Sequence, residues 1–205
     1  GGTDVVVLNS TVDFSGMTVA SFDEVEAIRF AAANTTGTFT GAQLTGEALD
    51  LTETAAGTSN LVINVGSGET ANLTAITAST FTGGSDTITI NGATGDESIT
   101  SPNLASTING DAGDDTIIAS SANDTIDGGD GADSLTGGDG DDLYLFNTND
   151  VDSGESISEF GGEGTDVVAI VTSTNFSNMT DASFNEIDEL RFAGSNKTGT
   201  FTGSQ

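Results

Sequence analysis

An acidic or small polar residue, usually followed by Ser or Thr and then by an aliphatic, returns every nine residues along the middle of this chain. The run is Glu97-Ser98-Ile99, Ser106-Thr107-Ile108, Asp115-Thr116-Ile117, Asp124-Thr125-Ile126, Asp133-Ser134-Leu135 and Asp142-Leu143-Tyr144. A nine-residue unit holds little more than one turn and one short strand, and cannot bury its own aliphatic. Successive units must therefore stack and share a core. Glycines gather in front of the acid, as in Gly128-Gly129-Asp130-Gly131-Ala132-Asp133 and Gly137-Gly138-Asp139-Gly140-Asp141-Asp142. Glycine lets such a loop take positive φ and turn carbonyl oxygens inward, the acid adds a hard anionic ligand, and the aliphatic two places later points into the core.

Charge decides which partners these loops can have. Asp and Glu number 32 against 3 Lys and Arg, a net charge of −29, and ten of the Asp lie between Gly110 and Leu145 with no basic residue among them. So acidic a chain is repelled by phosphate backbones and anionic lipid surfaces, which excludes nucleic acid and basic-patch membrane binding and favours divalent cations. His and Cys are absent. Thiol and imidazole nucleophiles, disulfides and the usual zinc sets go with them, and any metal must be held by oxygens, as calcium or magnesium is. Paired carboxylates could in principle cleave glycosides. With no Trp and one Tyr, Tyr144, set where a core aliphatic belongs, the chain shows no catalytic constellation and is read as not an enzyme.

The chain also overlaps itself. At an offset of 162 residues, 2–43 align without a gap on 164–205, with 24 of the 42 pairs identical; Gly2-Thr3-Asp4-Val5-Val6 matches Gly164-Thr165-Asp166-Val167-Val168. The expected origin is a longer parent built of tandem copies. No apolar run reaches membrane-spanning length, and a chain that opens on Gly1-Gly2 reads as an excised piece. Outside the nonapeptides, short β-branched runs bounded by Gly, Asn, Ser or Thr read as strands: Thr38–Thr40, Leu49–Leu51, Leu61–Val65, Leu73–Ile76 and Thr87–Ile90. Residues 22–30 and their copy 184–192 have a spacing that also allows a short helix. Arg29 and Arg191 occupy equivalent places and are expected to pair with Glu24 and Glu186 or with an acid on a neighbouring strand. The Thr-x-Thr pairs at Thr38, Thr40, Thr87 and Thr89 do not recur on every coil, which argues against an ice-binding face.

The two complete glycine-rich units resemble the GGxGxDxUx calcium-binding nonapeptide of the RTX family. The segments that follow, Leu143–Phe146, Ser156–Phe160 and Gly164–Val168, resemble the flank that closes many RTX rolls. The resemblance covers about residues 81–171 and implies an all-β fold, a right-handed parallel β-solenoid containing an RTX β-roll. In that family two units make one coil, and calcium (Ca2+) sits between loops two units apart. One rail then carries the loops starting at Gly92, Gly110 and Gly128, the other those at Ser101, Ala119 and Gly137. The favoured site lies between the loops at 110 and 128, with Asp115 and Asp133 as side-chain ligands and carbonyls of the turns at Gly110, Gly113, Gly128, Gly129 and Gly131 completing the shell. A second uses Glu97, whose extra methylene is expected to weaken coordination. A third uses Asp124 and Asp142 with the turn at Gly138 and Gly140, and is disfavoured because Ser120, Ser121 and Ala122 replace glycines. Asp111, Asp114, Asp130, Asp139 and Asp141 occupy variable positions, expected to supply carbonyls or general negative potential.

The division expected is 1–43 as a β-rich flank ending one repeat copy, 44–91 as solenoid coils, 92–145 as the calcium-binding roll, and 146–205 as closing strands and the start of the next copy. The function implied is a calcium-dependent structural module of a large bacterial secreted or cell-surface protein of adhesin or S-layer type, exported through a type I channel and folding outside the cell. Its partners would be calcium ions and neighbouring tandem repeats. The alternative is a calcium-stabilised adhesion domain for glycans or a cell-surface ligand.

Overall fold

The computed structural model describes residues 2–81, 85–148, 150–159, 164–179, 184 and 186–202. Phe160 of the closing flank and the repeat-matched residues 180–183, 185 and 203–205 lie outside them. Among the described residues the strands fall into successive coils of a β-solenoid. The first four coils are β1 (Val5–Leu8) and β2 (Val12–Asp13); β3 (Ala27–Phe30), β4 (Thr36–Thr40) and the one-turn helix α1 (Gly41–Leu44); β5 (Asp50–Glu53), β6 (Asn60–Asn64) and β7 (Thr70–Asn72); and β8 (Thr77–Ala78), β9 (Thr87–Ala93) and β10 (Ser98–Thr100). Two-strand coils follow: β11 (Ser106–Asp111) and β12 (Thr116–Ile118), β13 (Thr125–Asp127) and β14 (Ser134–Thr136), β15 (Leu143–Phe146) and β16 (Ser156–Ser158), β17 (Val167–Ile170) and β18 (Thr174–Asn175), β19 (Glu189–Phe192) and β20 (Gly199–Thr200).

All described pairings are parallel, and each strand pairs with its counterpart one coil away. One sheet of nine strands runs β2-β4-β6-β9-β11-β13-β15-β17-β19, a second runs β7-β10-β12-β14-β16, and a third, β1-β3-β5-β8, stops where the nonapeptides begin. The early coils therefore have three faces and the nonapeptide coils two. Partners lie 27 residues apart between β6 and β9 (Asn60 with Thr87), but 18 apart between β11 and β13 (Thr107 with Thr125), which is two nine-residue units. With alternate residues facing inward, each short strand has room for about one core side chain. Ile90, Ile108, Ile126, Tyr144 and Val168 form one column and Ile99, Ile117, Leu135 and Ile157 the facing one, all buried. Each contributes roughly 1.5–3 kcal/mol by leaving water.

Ala27–Phe30, where a helix was open, is strand β3. Phe22 closes a single 3-10 turn, Glu24 reverses the chain at φ +69°, and Ile28 and Phe30 then alternate into the core. Leu73–Ile76, expected as a strand, is the corner between β7 and β8: Asn72 Oδ1 accepts from Thr74 N–H and Oγ1–H, and both ends of the run are buried. The two repeat copies keep one packing. Phe14 stacks on Phe39 at 4.8 Å between centroids, and their counterparts Phe176 and Phe201 stack at 5.0 Å. Arg191 pairs at 3.0 Å with Glu189 on its own strand instead of with Glu186. No helix among the described residues is long and apolar enough to cross a membrane.

Candidate metal centre

The 18-residue step brings equivalent loops of alternate units into register. Loops 92–97, 110–115 and 128–133 lie between the nine-stranded sheet and the second sheet along one rail, and loops 101–105, 119–124 and 137–142 along the other. Backbone bonds tie the first rail directly: Gly113 N–H donates to the Asp130 carbonyl and Asp130 N–H to the Asp111 carbonyl, both at 2.9 Å. Gly113, Gly129, Gly131, Gly138 and Gly140 all have positive φ. At Gly131 the need for glycine is twofold, since φ is +146° and an added Cβ would overlap the Gly113 carbonyl of the loop below. Gly110 and Gly128 lack positive φ but lie so close to the carboxylates of Asp115 and Asp133 that a side chain on either would collide with them.

Each rail is threaded by a ladder of carboxylates. On the first, Gly68 N–H donates to Glu97 Oε1 (2.7 Å), Glu97 N–H to Asp115 Oδ1 (2.7 Å), Asp115 N–H to Asp133 Oδ1 (2.8 Å) and Asp133 N–H to Glu155 Oε2 (3.0 Å). On the second, Ser106 N–H donates to Asp124 Oδ1 (2.7 Å), Asp124 N–H to Asp142 Oδ1 (2.7 Å) and Asp142 N–H to Asp166 Oδ1 (3.1 Å). One oxygen of each acid thus satisfies a backbone donor on the coil before it. What happens to the other oxygen separates the candidate ligands.

Asp115 Oδ2, Asp133 Oδ2 and Asp142 Oδ2 are buried with no hydrogen-bond partner, as are Glu155 Oε1 and Asp127 Oδ1. Glu97 instead has Ala93 N–H on Oε2 at 2.8 Å, and Asp124 Oδ2 takes both Ser120 N–H and Ser120 Oγ–H at 3.0 Å. A buried carboxylate oxygen without a donor is costly, and a hard cation is the partner that an oxygen-only pocket of negative charge would accept. The pocket residues therefore fit calcium at Asp115, Asp133 and Asp142. The Ser that replaces glycine in the loop at 119 supplies the donors that such an ion would otherwise replace.

Electrostatics agree with the geometry. Burial, reinforced by the neighbouring carboxylates, pushes the carboxyls of Asp115 and Asp142 up to about 7 and that of Asp133 to about 6. Glu155 rises to about 9, again through burial, with Asp133 and Asp150 adding to it. Burial also raises Asp124. Without a cation these groups hold protons at pH values where surface carboxylates have lost theirs.

Glu155, Asp127, Asp150 and Asp166 belong to the same buried acidic system, and the nine-residue count does not reach them. After Asp142 the coils lengthen: Asp133 meets Glu155 22 residues on, and Asp142 meets Asp166 24 residues on. The usable signal for Asp166 is the run Gly161-Gly162-Glu163-Gly164-Thr165-Asp166, a further glycine-rich unit that ends in an acid before an aliphatic; for Glu155 it is only an acid standing just before a short strand. Asp114 and Asp141, read from the sequence as carbonyl donors or diffuse charge, take part through their side chains. Asp114 Oδ1 accepts Ala132 N–H at 2.9 Å and Asp141 Oδ1 accepts Thr165 N–H at 2.8 Å, a second ladder running opposite to the first.

In comparisons with known proteins, residues 107–144 match the family described as RTX calcium-binding nonapeptide repeat (4 copies). No curated protein and no solved structure matches the chain. The matched stretch covers the first of the two-strand coils and the loops that end in Asp115, Asp124, Asp133 and Asp142.

Proposed function

We propose that this tandem RTX-type repeat module, a calcium-binding structural unit in a β-solenoid, belongs to a secreted or cell-surface giant protein and folds outside the cell when calcium bridges its stacked Gly-Asp loops. The observation that carries this reading is the set of buried, unpartnered oxygens on Asp115, Asp133 and Asp142, each at the end of a glycine turn stacked on the next. Asp115 and Asp133, with carbonyls of the turns at 110–113 and 128–131, are the first ligand set. Asp142 with the turn at Gly138 and Gly140 is the second. Glu97 and Asp124, whose oxygens are already engaged, bind more weakly. Bound calcium supplies the positive charge that lets these carboxylates stay ionised while buried, so binding free energy becomes folding free energy. Scarce free calcium inside a cell would keep the chain unfolded for export, and abundant calcium outside would fold it.

A structural role is favoured over a ligand-binding adhesion domain by the nature of an open cleft among the described residues. It is lined by Phe184, Ile187, Asp188, Glu189, Leu190 and Phe201. Their counterparts in the first copy include Phe22, Ile28 and Phe39, which the next coil covers. The cleft is thus a coil face of the kind that stacks. Circular dichroism and calorimetric titration of the chain, freed of calcium and then given millimolar calcium, test the proposal. Strand signal should appear or sharpen with calcium, with heat of binding, and Asp133→Asn should weaken both. An equally folded chain that binds no calcium would overturn it.

A further inference from the structure

The two repeat copies keep their internal pairing but change the sheet they belong to. Val5 pairs with Ala27 in the first copy and Val167 with Glu189 in the second, equivalent positions at the offset of 162. Yet β1 and β3 lie in the third sheet, while their counterparts β17 and β19 lie at the end of the nine-stranded sheet, which in the first copy holds β2 and β4. The roll accounts for the change. In the three-faced coils the chain leaves β7, on the second sheet, for β8 on the third. The two-faced coils have no third sheet, so the strand after β16 returns to the nine-stranded sheet and β17 lies on β15, from Leu143 with Val167 to Phe146 with Ile170. β18, the counterpart of β2, then opens a separate sheet with β20. Shortening the coil from 27 to 18 residues thus shifts the next copy by one face around the solenoid axis.

Burial identifies the surface that makes this join. Val167–Ile170 are all buried, whereas of Val5–Leu8 only Leu8 is, and Val7 is 44% exposed. Met179 is buried, while its counterpart Met17 is 48% exposed. In the second copy Val168 is in register with Tyr144 and Ile170 with Phe146, and Phe146 meets the ring of Phe176, the counterpart of Phe14, at 5.3 Å between centroids. The same apolar set in the first copy has no coil beneath it, and β1 has a hydrogen-bonded neighbour on one side only. An apolar coil face with an open parallel edge is a template for one more coil, and the molecule itself shows which coil fits.

Resting on the tandem-array reading, we propose that the first coil of this repeat, Val5–Leu8 with Phe14 and Met17, docks on the last roll coil, Leu143–Phe146, of another copy of the repeat, and that every such join turns the following copy by one face. Successive copies then differ by roughly a third of a turn, the angle between neighbouring faces of a three-faced coil. The consequence is for what the array displays. The outward residues of β4 and β6 are Thr36, Thr38, Thr40, Asn60, Val62 and Asn64, an uncharged surface on a strongly acidic chain. With a turn at each join this surface faces a new direction in every copy and cannot run as one strip along the array. That arrangement suits a spacer that looks alike from all sides and not a one-sided adhesive surface.

The whole chain, extended at its start by further copies of residues 2–163, tests the proposal by electron microscopy in millimolar calcium. The seven coils from β1 to β16, at about 4.8 Å each, should give rods with a rise of about 34 Å per copy and a turn of roughly a third at each join. Rods without that turn, or copies strung as separate beads, would overturn it. In the unextended chain, Leu145→Cys with Ala169→Cys, register partners across the join, should oxidise to a disulfide at least tenfold faster in the folded protein than in urea. No such acceleration in a folded chain would overturn the join. Both measurements are also read in chelator. A chain equally folded there would overturn the calcium reading, while the cross-link and the turn would still decide the join.

Discussion

Replacing Asp115 by Asn should stabilise the calcium-free protein and destabilise the calcium-loaded one. In the calcium-free fold Asp115 Oδ1 accepts Glu97 N–H, and Oδ2 is buried without a partner. Burial, with the charges of Asp133 and Glu97 nearby, lifts its pKa from 3.8 to about 7, so ionising it at pH 7.5 works against the fold. The full conversion is roughly 4 kcal/mol at about 1.4 kcal/mol per tenfold change, and screening by solvent and counter-ions brings it to about 2 kcal/mol. Asn keeps the acceptor for Glu97 and puts an uncharged group in place of the orphaned oxygen. The calcium-free variant should therefore melt roughly 4–8 °C above the wild type, the shift that about 2 kcal/mol gives a chain of this size. In millimolar calcium the order should invert, because the wild type gains stability from bound ion and the variant has lost an anionic ligand. Thermal unfolding followed by circular dichroism at pH 7.5, with and without calcium, gives both numbers. A variant destabilised equally in the two buffers would show that Asp115 is a structural hydrogen-bond acceptor and nothing more.

Acid should partly replace calcium. The folded calcium-free chain holds protons on Asp133 (about 6), Asp142 (about 7) and Glu155 (about 9) that the unfolded chain releases at lower pH. Stability from these groups is therefore complete below their ordinary pKa and is lost as pH rises through 6 to 9, and the calcium-free Tm should fall steadily from pH 5 to 8.5. A Tm that climbs over this range would contradict the burial of these acids. Gly131→Ala, forced to φ +146° with its Cβ against the Gly113 carbonyl, should cost on the order of 2–4 kcal/mol in denaturant titration and lower calcium affinity with it. Ile126→Ala, in the middle of a one-residue-wide core, should cost about 2–5 kcal/mol even with calcium saturating. A loss under 1 kcal/mol would mean that the ions, and not the aliphatic columns, hold the coils together.

The nine-residue register determined that the middle of the chain is a stack of turns and short strands; that two units make one coil came with the family resemblance. A unit with one inward aliphatic and one glycine turn has to stack, and the acid has to recur at the end of each loop; hence Asp115, Asp124, Asp133 and Asp142 were all legible as loop-end acids. The −29 charge and the absence of His and Cys determined that a bound metal would be a hard cation on oxygens. What the sequence could not decide is which of those acids lacks a partner. Asp124 and Asp142 share one motif position, yet Ser120 satisfies Asp124 Oδ2 while Asp142 Oδ2 has nothing, a difference made by donors that depend on the local course of the backbone. Residues that join from outside the nine-residue register were legible only in part: Asp166 ends a further glycine-rich run at 161–166, while nothing in the pattern marked Glu155. Glu155 and Asp166 enter the ladders across coils of 22 and 24 residues, lengths that only the closing of the sheets fixes. The tertiary structure likewise placed Val5–Leu8 and its copy Val167–Ile170 in different sheets, because a strand's neighbour is set by the coil beneath it and not by its own residues.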